Sequence, residues 1–175
     1  WNRQVLQINL DAGVDVVVRR GWYESTDFWS PDLYRRFLLE PLRQEAELAH
    51  QAGVRLSYVM NSGSMPLLPC LADSGIDVLS NIDPAAPGTD LAAMKAQVGG
   101  RLCLCGGVNN THVLELGGQA DVDRAVGAAL EALAPGSGFI LAPGDSVGFA
   151  PGTDHDRCLN NVHAMVAAWR RLAGG

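Results

Sequence analysis

The sequence predicts an α/β protein of parallel strands, a partial or complete (β/α)8 barrel, with an open doubly wound sheet as the alternative. Three observations carry this. Short apolar runs alternate with helical segments through roughly five βα units. No hairpin signal interrupts the alternation. Polar residues gather directly after the apolar runs, where parallel folds place their chemistry. A complete barrel typically takes about 250 residues, and at 175 residues this chain supplies rather more than half of one.

Taken in order, Asn2 to Asp11 reads as a helix with Val5, Leu6, Ile8 and Leu10 apolar and Gly13 as its stop. Val14 to Val18 is a strand, followed by a polar, aromatic loop from Arg19 to Glu24. Ser30-Pro31-Asp32 is a strong helix start: Ser as N-cap, Pro in the first turn, Asp favourable to the dipole. That helix runs to about His50, and Pro41 predicts a kink within it, because proline lacks an amide donor and crowds the preceding turn. Gly53 precedes a strand from Val54 to Met60, the small-residue turn Asn61-Ser62-Gly63-Ser64, and a short helix over Met65 to Ala72. Gly75 closes that helix, and Ile76 to Ser80 is the next strand. Thr89 to Val98 is a helix ended by Gly99-Gly100, and Leu102 to Cys105 a strand running into Gly106-Gly107 and Asn109-Asn110-Thr111. Asp121 is expected to cap an amphipathic helix in which Val122, Val126, Ala129, Leu130 and Leu133 share a face. Gly138 to Ala142 is the last strand. A long loop, 143–154, leads to a final helix with Leu159, Val162, Val166 and Trp169 in register.

Composition excludes several function classes. Apolar residues make up 47% and charged residues 18%, an ordinary balance for a chain long enough to bury a core. A net charge of −6, with Lys95 as the one lysine, offers no basic stripe for nucleic acid or an anionic membrane. No apolar run reaches membrane-spanning length and no signal peptide is visible. Cys70, Cys103, Cys105 and Cys158 lack CxxC spacing and suggest a reducing, cytoplasmic setting. The chain starts at Trp1 rather than Met, so it is read as either a trimmed chain or part of a longer protein.

The candidate site residues lie at strand ends, each with a structural alternative. Arg19 and Arg20 follow the first strand and suit bidentate capture of a carboxylate, or a surface pair with Glu24. Tyr23 would hydrogen-bond a ligand, or cover the rim with Trp22. Asn61 ends the second strand. Asp83 is a candidate base, or one half of an Asp–Pro turn with Pro84. Gly107, with Gly106, lets backbone approach a ligand in front of Asn109, where a helix start favours anions. His155 between Asp154 and Asp156 offers an acid–imidazole pair, or routine capping. Asp145, in a loop with Gly144 and Gly148, is the carboxylate best placed for acid–base work. Cys103 and Cys105 alternate on one strand and face one side, as half a metal site or as small packing residues.

Three segments resemble a known family. Phe28 to Gly63, with its Ser30-Pro31 start, Pro41 and following strand, is similar to the middle of uroporphyrinogen decarboxylase-superfamily proteins. Gly106 to Val126 and Gly138 to Arg171 resemble that family's later glycine-rich turn, last strand and final helix. The resemblance implies a single α/β domain over 1–175, matching the C-terminal part of a (β/α)8 barrel and lacking its N-terminal part. It further implies a cytoplasmic lyase (a carboxy-lyase, as in porphyrin-related decarboxylation) or a one-carbon methyltransferase. The expected partner is a carboxylated or small organic substrate, with self-association left open. The alternative is a non-catalytic or fragmentary member that binds a ligand or serves as a scaffold. Zinc methyltransferases of the family hold their metal through a His-x-Cys pair and a later Cys. The matching positions here are Met60, Ser62 and Asp145, so no cofactor is expected. The decarboxylases' late-loop His is matched by Asp145, and their N-terminal arginines and Asp fall outside the matched region. On this reading Asp145, Tyr23 and Asp83 are the catalytic candidates. Arg19, Arg20, Asn61, Gly107, Asn109 and His155 are the substrate-binding ones.

Overall fold

The computed structural model describes residues 2–148 and 152–174. Five strands form one parallel sheet: β1 (Val16–Arg20), β2 (Arg55–Val59), β3 (Val78–Ile82), β4 (Cys103–Val108) and β5 (Phe139–Pro143). Their spatial order follows the chain, β1-β2-β3-β4-β5. A doubly wound sheet reverses its order at a switch point; this one does not, and it is the strand order of a barrel.

Except for β2, which lies within its expected run, each strand lies slightly C-terminal of its apolar run. Val54, Ile76 and Leu102 are buried but precede their ladders, plugging the base of the core where the chain leaves the helix layer. The displacement brings Arg19, Arg20 and Asn81 inside strands, where alternation decides which way they point.

The helices are α1 (Asn2–Asp11), α2 (Pro31–Phe37), α3 (Leu39–Gln51), α4 (Leu68–Ala72), α5 (Leu91–Val98), α6 (Gln119–Leu133) and α7 (His155–Ala173). Ser30 caps α2, its side chain accepting from the Leu33 amide. The helix predicted to run from Pro31 to His50 breaks at Leu38. Pro41 has no N–H for the Phe37 carbonyl, so the chain pauses there and restarts as α3. Asp121 is not the cap of α6. Gly118 occupies that position, and the Asp121 carboxylate reaches back to the Gly118 amide at 2.9 Å. A short 3₁₀ turn, Met65–Leu67, leads into α4, and a π-helical turn, Asn110–Glu115, follows β4.

The core lies between the sheet and one layer of helices. Val17, Leu56, Tyr58, Leu79 and Leu104 pack against Leu42, Ala46, Leu71, Met94 and Leu133. A second cluster joins Val108 and Leu114 to Val122, Val126, Ala164, Met165 and Ala168. The face of α7 that is buried carries Cys158, Asn161, Ala164, Met165 and Ala168, not the expected Leu159, Val166 and Trp169. Small residues let α7 approach α6 closely. Asn161 Nδ2 also donates to the carbonyls of Leu114 and Gly117, satisfying the end of the π-helical turn.

On the opposite face of the sheet, the barrel lumen, Ser57, Val59 and Ser80 are buried at the centre while the edge strands β1 and β5 are open. Val16, Val18 and Ile140 are each about half exposed, at 47%, 56% and 50%. Among the described residues no helix is long and apolar enough to cross a membrane.

Candidate functional site

At the C-terminal ends of the strands lies a cleft of about 250 Å³. From β1 and its loop come Val18, Arg20 and Trp22; from the end of β5 come Pro143, Asp145 and Ser146. Val59 and Asn81 lie between them. Residues from both edge strands line one cleft, so the sheet is curled as a barrel wall rather than flat.

Alternation along β1 separates the two arginines. Arg19 falls in register with Tyr58 and points with Val17 into the helix layer. There its Nε donates to Glu45 Oε2 at 2.9 Å and its Nη2 to Glu24 Oε1 at 2.7 Å. Burial alone would lower the Arg19 pKa, but the hydrogen bond and charge of Glu24 and the charge of Glu45 override it and raise it. Tyr58 OH donates to Glu24 Oε2 at 2.5 Å and receives Tyr34 OH at 3.3 Å. Burial above all pushes both phenols far above their ordinary pKa, so they stay neutral. Arg19 is thus part of a buried knot and is not free to bind substrate.

Arg20 points the other way, into the cleft. Its guanidinium lies over the Trp22 ring, 5.1 Å from the centroid, and it makes no ion pair among the described residues. Held over the ring by cation–π attraction, the guanidinium keeps its N–H donors without an ion-pair partner among the described residues.

Facing it is a directed chain of amides. Asn81 Nδ2 donates to Asn61 Oδ1 at 3.1 Å, and Asn61 Nδ2 donates to Asp145 Oδ2 at 2.6 Å. Asp145 accepts only, so it fixes which way Asn61 turns, and Asn61 fixes Asn81. The Ser146 amide donates to Asp145 Oδ1 at 2.7 Å. Asn81 has φ of 66°, in the left-handed region, where the β3–β4 register slips between Leu79 and Ile82. This bulge turns the Asn81 side chain into the cleft. The sequence reading places its candidate base at Asp83 and passes over Asn81; an Asn ending an apolar run is the signal available for it.

The other candidates stand apart from the cleft. Asp83 is clamped: Asn109 Nδ2 reaches both its oxygens, at 3.0 and 2.9 Å, and the Ala85 amide donates to Oδ1. Asn109 caps the π-helical turn at the same time, its Oδ1 taking the His112 amide at 2.6 Å. Gly106 and Gly107 serve packing rather than ligand approach. A Cβ on Gly106, at φ +144°, would lie 2.4 Å from the Ile82 carbonyl oxygen, and one on Gly107 would press on Ala129. Tyr23 is 72% exposed and meets Phe28 edge-on at 5.4 Å, on the outer rim. His155 is exposed at the start of α7, with Gly148 beside its ring.

Met60, Ser62 and Asp145 do not make a zinc donor set. Met60 is buried in the core, Ser62 Oγ donates to Asp27 Oδ2, and Asp145 is held by Asn61. Among the described residues no three His, Cys, Asp or Glu side chains converge as metal ligands. Cys103 and Cys105 line the lumen half-buried, and burial raises both thiol pKa values.

Comparison with known proteins agrees with this architecture. A methylcobamide:CoM methyltransferase, MtaA, of Methanosarcina barkeri is 31% identical over 159 residues, which are 91% of this chain and 42% of that protein. The solved structure of a methyltransferase from Methanosarcina mazei superposes with a TM-score of 0.75 at 28% identity, over 96% of this chain and 45% of that one. The chain therefore spans less than half the length of these relatives. The family description "Uroporphyrinogen decarboxylase (URO-D)" matches residues 2–172. With five parallel strands in barrel order, a mouth of polar residues at their C-terminal ends and a family match along nearly its whole length, the chain belongs to the uroporphyrinogen decarboxylase family.

Proposed function

We propose that this chain forms the substrate-holding wall of a one-carbon (methyl) transferase acting on a small carboxylated organic molecule. The observation that carries the reading is Arg20, set over the Trp22 ring without an ion pair among the described residues, sharing one cleft with Asn81 and Asp145, which Asn61 joins. A planar donor edge suits a carboxylate. Asp145, fixed by two donors yet only partly buried, is placed to hold or accept a proton from a nucleophile as it takes up a methyl group. Methyl transfer is favoured over decarboxylation because both relatives named above are methyltransferases.

A second reading, a ligand-binding member without turnover, draws support from Met60 and Ser62, whose surroundings leave no zinc donors. Calorimetry with short carboxylic acids tests the shared claim. Binding should weaken at least tenfold in Arg20→Ala while the thermal transition is kept. Equal affinity in parent and variant would refute the site. Loss of the methylcobamide absorbance on adding a bound acid, catalysed by the protein, would separate the transferase from the binder.

A further inference from the structure

We infer that the cleft selects a small zwitterion, a carboxylate and an ammonium on one short carbon chain, rather than a simple acid; this rests on the carboxylate site proposed above. The two walls carry opposite, mutually unpaired charges. Arg20 offers donors only, and its orientation is set by the Trp22 ring. Opposite stands Asp145, an acceptor whose two oxygens each take one hydrogen bond, from Asn61 and from the Ser146 amide, and each keep capacity for another.

The amide chain adds a second acceptor. Asn81, which lines the cleft, spends its Nδ2 on Asn61, and its Oδ1 takes no donor among the described residues. Two acceptors on one wall suit an ammonium, whose three N–H groups need several oxygens at once. A hydroxyl, with one proton, would use only one of them. A simple carboxylate would gain Arg20 but meet the Asp145 charge, and a simple amine would gain Asp145 but meet Arg20. Only a ligand carrying both charges matches both walls.

The backbone points the same way. Asn81 holds a left-handed φ of 66° in mid-strand, a conformation rare for residues other than glycine, and it is this that turns its amide into the cleft. The volume sets the scale. At about 250 Å³ the cleft is on the scale of an amino-acid-sized molecule.

The test uses matched trios of equal chain length: 4-aminobutyrate, butyrate and butylamine, and β-alanine, propionate and propylamine, each titrated calorimetrically into the 175-residue chain. At least one zwitterion should bind tenfold or more tighter than its matched acid. Asp145→Asn should bring the two within about twofold, and Asn81→Gly should narrow the gap while raising the melting temperature by relieving the backbone. Arg20→Ala should weaken zwitterion and acid alike. If acid and zwitterion bind the parent equally and Arg20→Ala weakens both, the zwitterion inference falls while the carboxylate site stands. If no member of either trio binds, both fall.

Discussion

Replacing Glu24 with Ala strikes the knot beneath the cleft, and its cost can be worked from the geometry. Glu24 accepts from Arg19 at 2.7 Å and from Tyr58 at 2.5 Å. Side-chain exposures of 16% for Arg19 and 20% for Glu24 mean little solvent screening. A hydrogen bond to a charged group contributes about 1.5–3 kcal/mol, and removing one partner of a buried pair costs about 3–5 kcal/mol. Arg19 keeps Glu45 and Tyr58 keeps Tyr34, so the expected loss sits near the lower end, about 3 kcal/mol. For a chain of this size each kcal/mol moves the melting temperature by about 2–4 °C, giving a fall of roughly 6–12 °C. Scanning calorimetry at pH 7 reads this directly. Glu24→Gln keeps an acceptor for Tyr58 and should lose about half as much. A fall of less than about 2 °C in Glu24→Ala would show that the knot does not stabilise the β1 end, and would refute the reasoning.

Two further expectations follow from the charges and the exposed edge strands. Asp77 is pulled below its ordinary pKa of 3.8: burial opposes the shift, but the Leu56 amide and the His50 and Arg55 side chains override it. A depressed folded pKa contributes stability that is present above 3.8 and lost as pH falls through the lower folded value. The parent should therefore be more stable than Asp77→Asn at pH 7, with the gap closing in acid unfolding curves below that point; a gap independent of pH would refute this. Val16, Val18 and Ile140 leave the two edge strands apolar and half exposed on the lumen side, and such faces seek cover. Sedimentation should show concentration-dependent association that Val18→Thr with Ile140→Thr reduces, and a parent that stays at 18.6 kDa at all concentrations would overturn it.

Much of this architecture is visible in the residues. Apolar runs of strand length separated by capped helices give five βα units, and their polar ends give the mouth where Asn61 and Asp145 meet. What is hidden depends on parity and register. Placing Arg19 and Arg20 in a loop left them equivalent; extending β1 to Arg20 assigns one to the helix layer with Val17 and the other to the lumen with Val18. The turn of Asn81 comes from a register shift between β3 and β4, which the pattern within β3 alone does not encode. The seam of α7 escaped for a different reason. Hydrophobic size points to Leu159 and Trp169, whereas close helix approach selects Ala164 and Ala168.

The sequential strand order has a consequence for how the chain is made. Every strand of the sheet pairs with the one synthesised just before it. As the polypeptide leaves the ribosome, β2 finds β1 already present, then β3 finds β2, with the intervening helix closing each step. No strand must wait for a distant partner to emerge, so loop closure is taken in short stages rather than one long one. Within the sheet, the growing edge is always the newest strand.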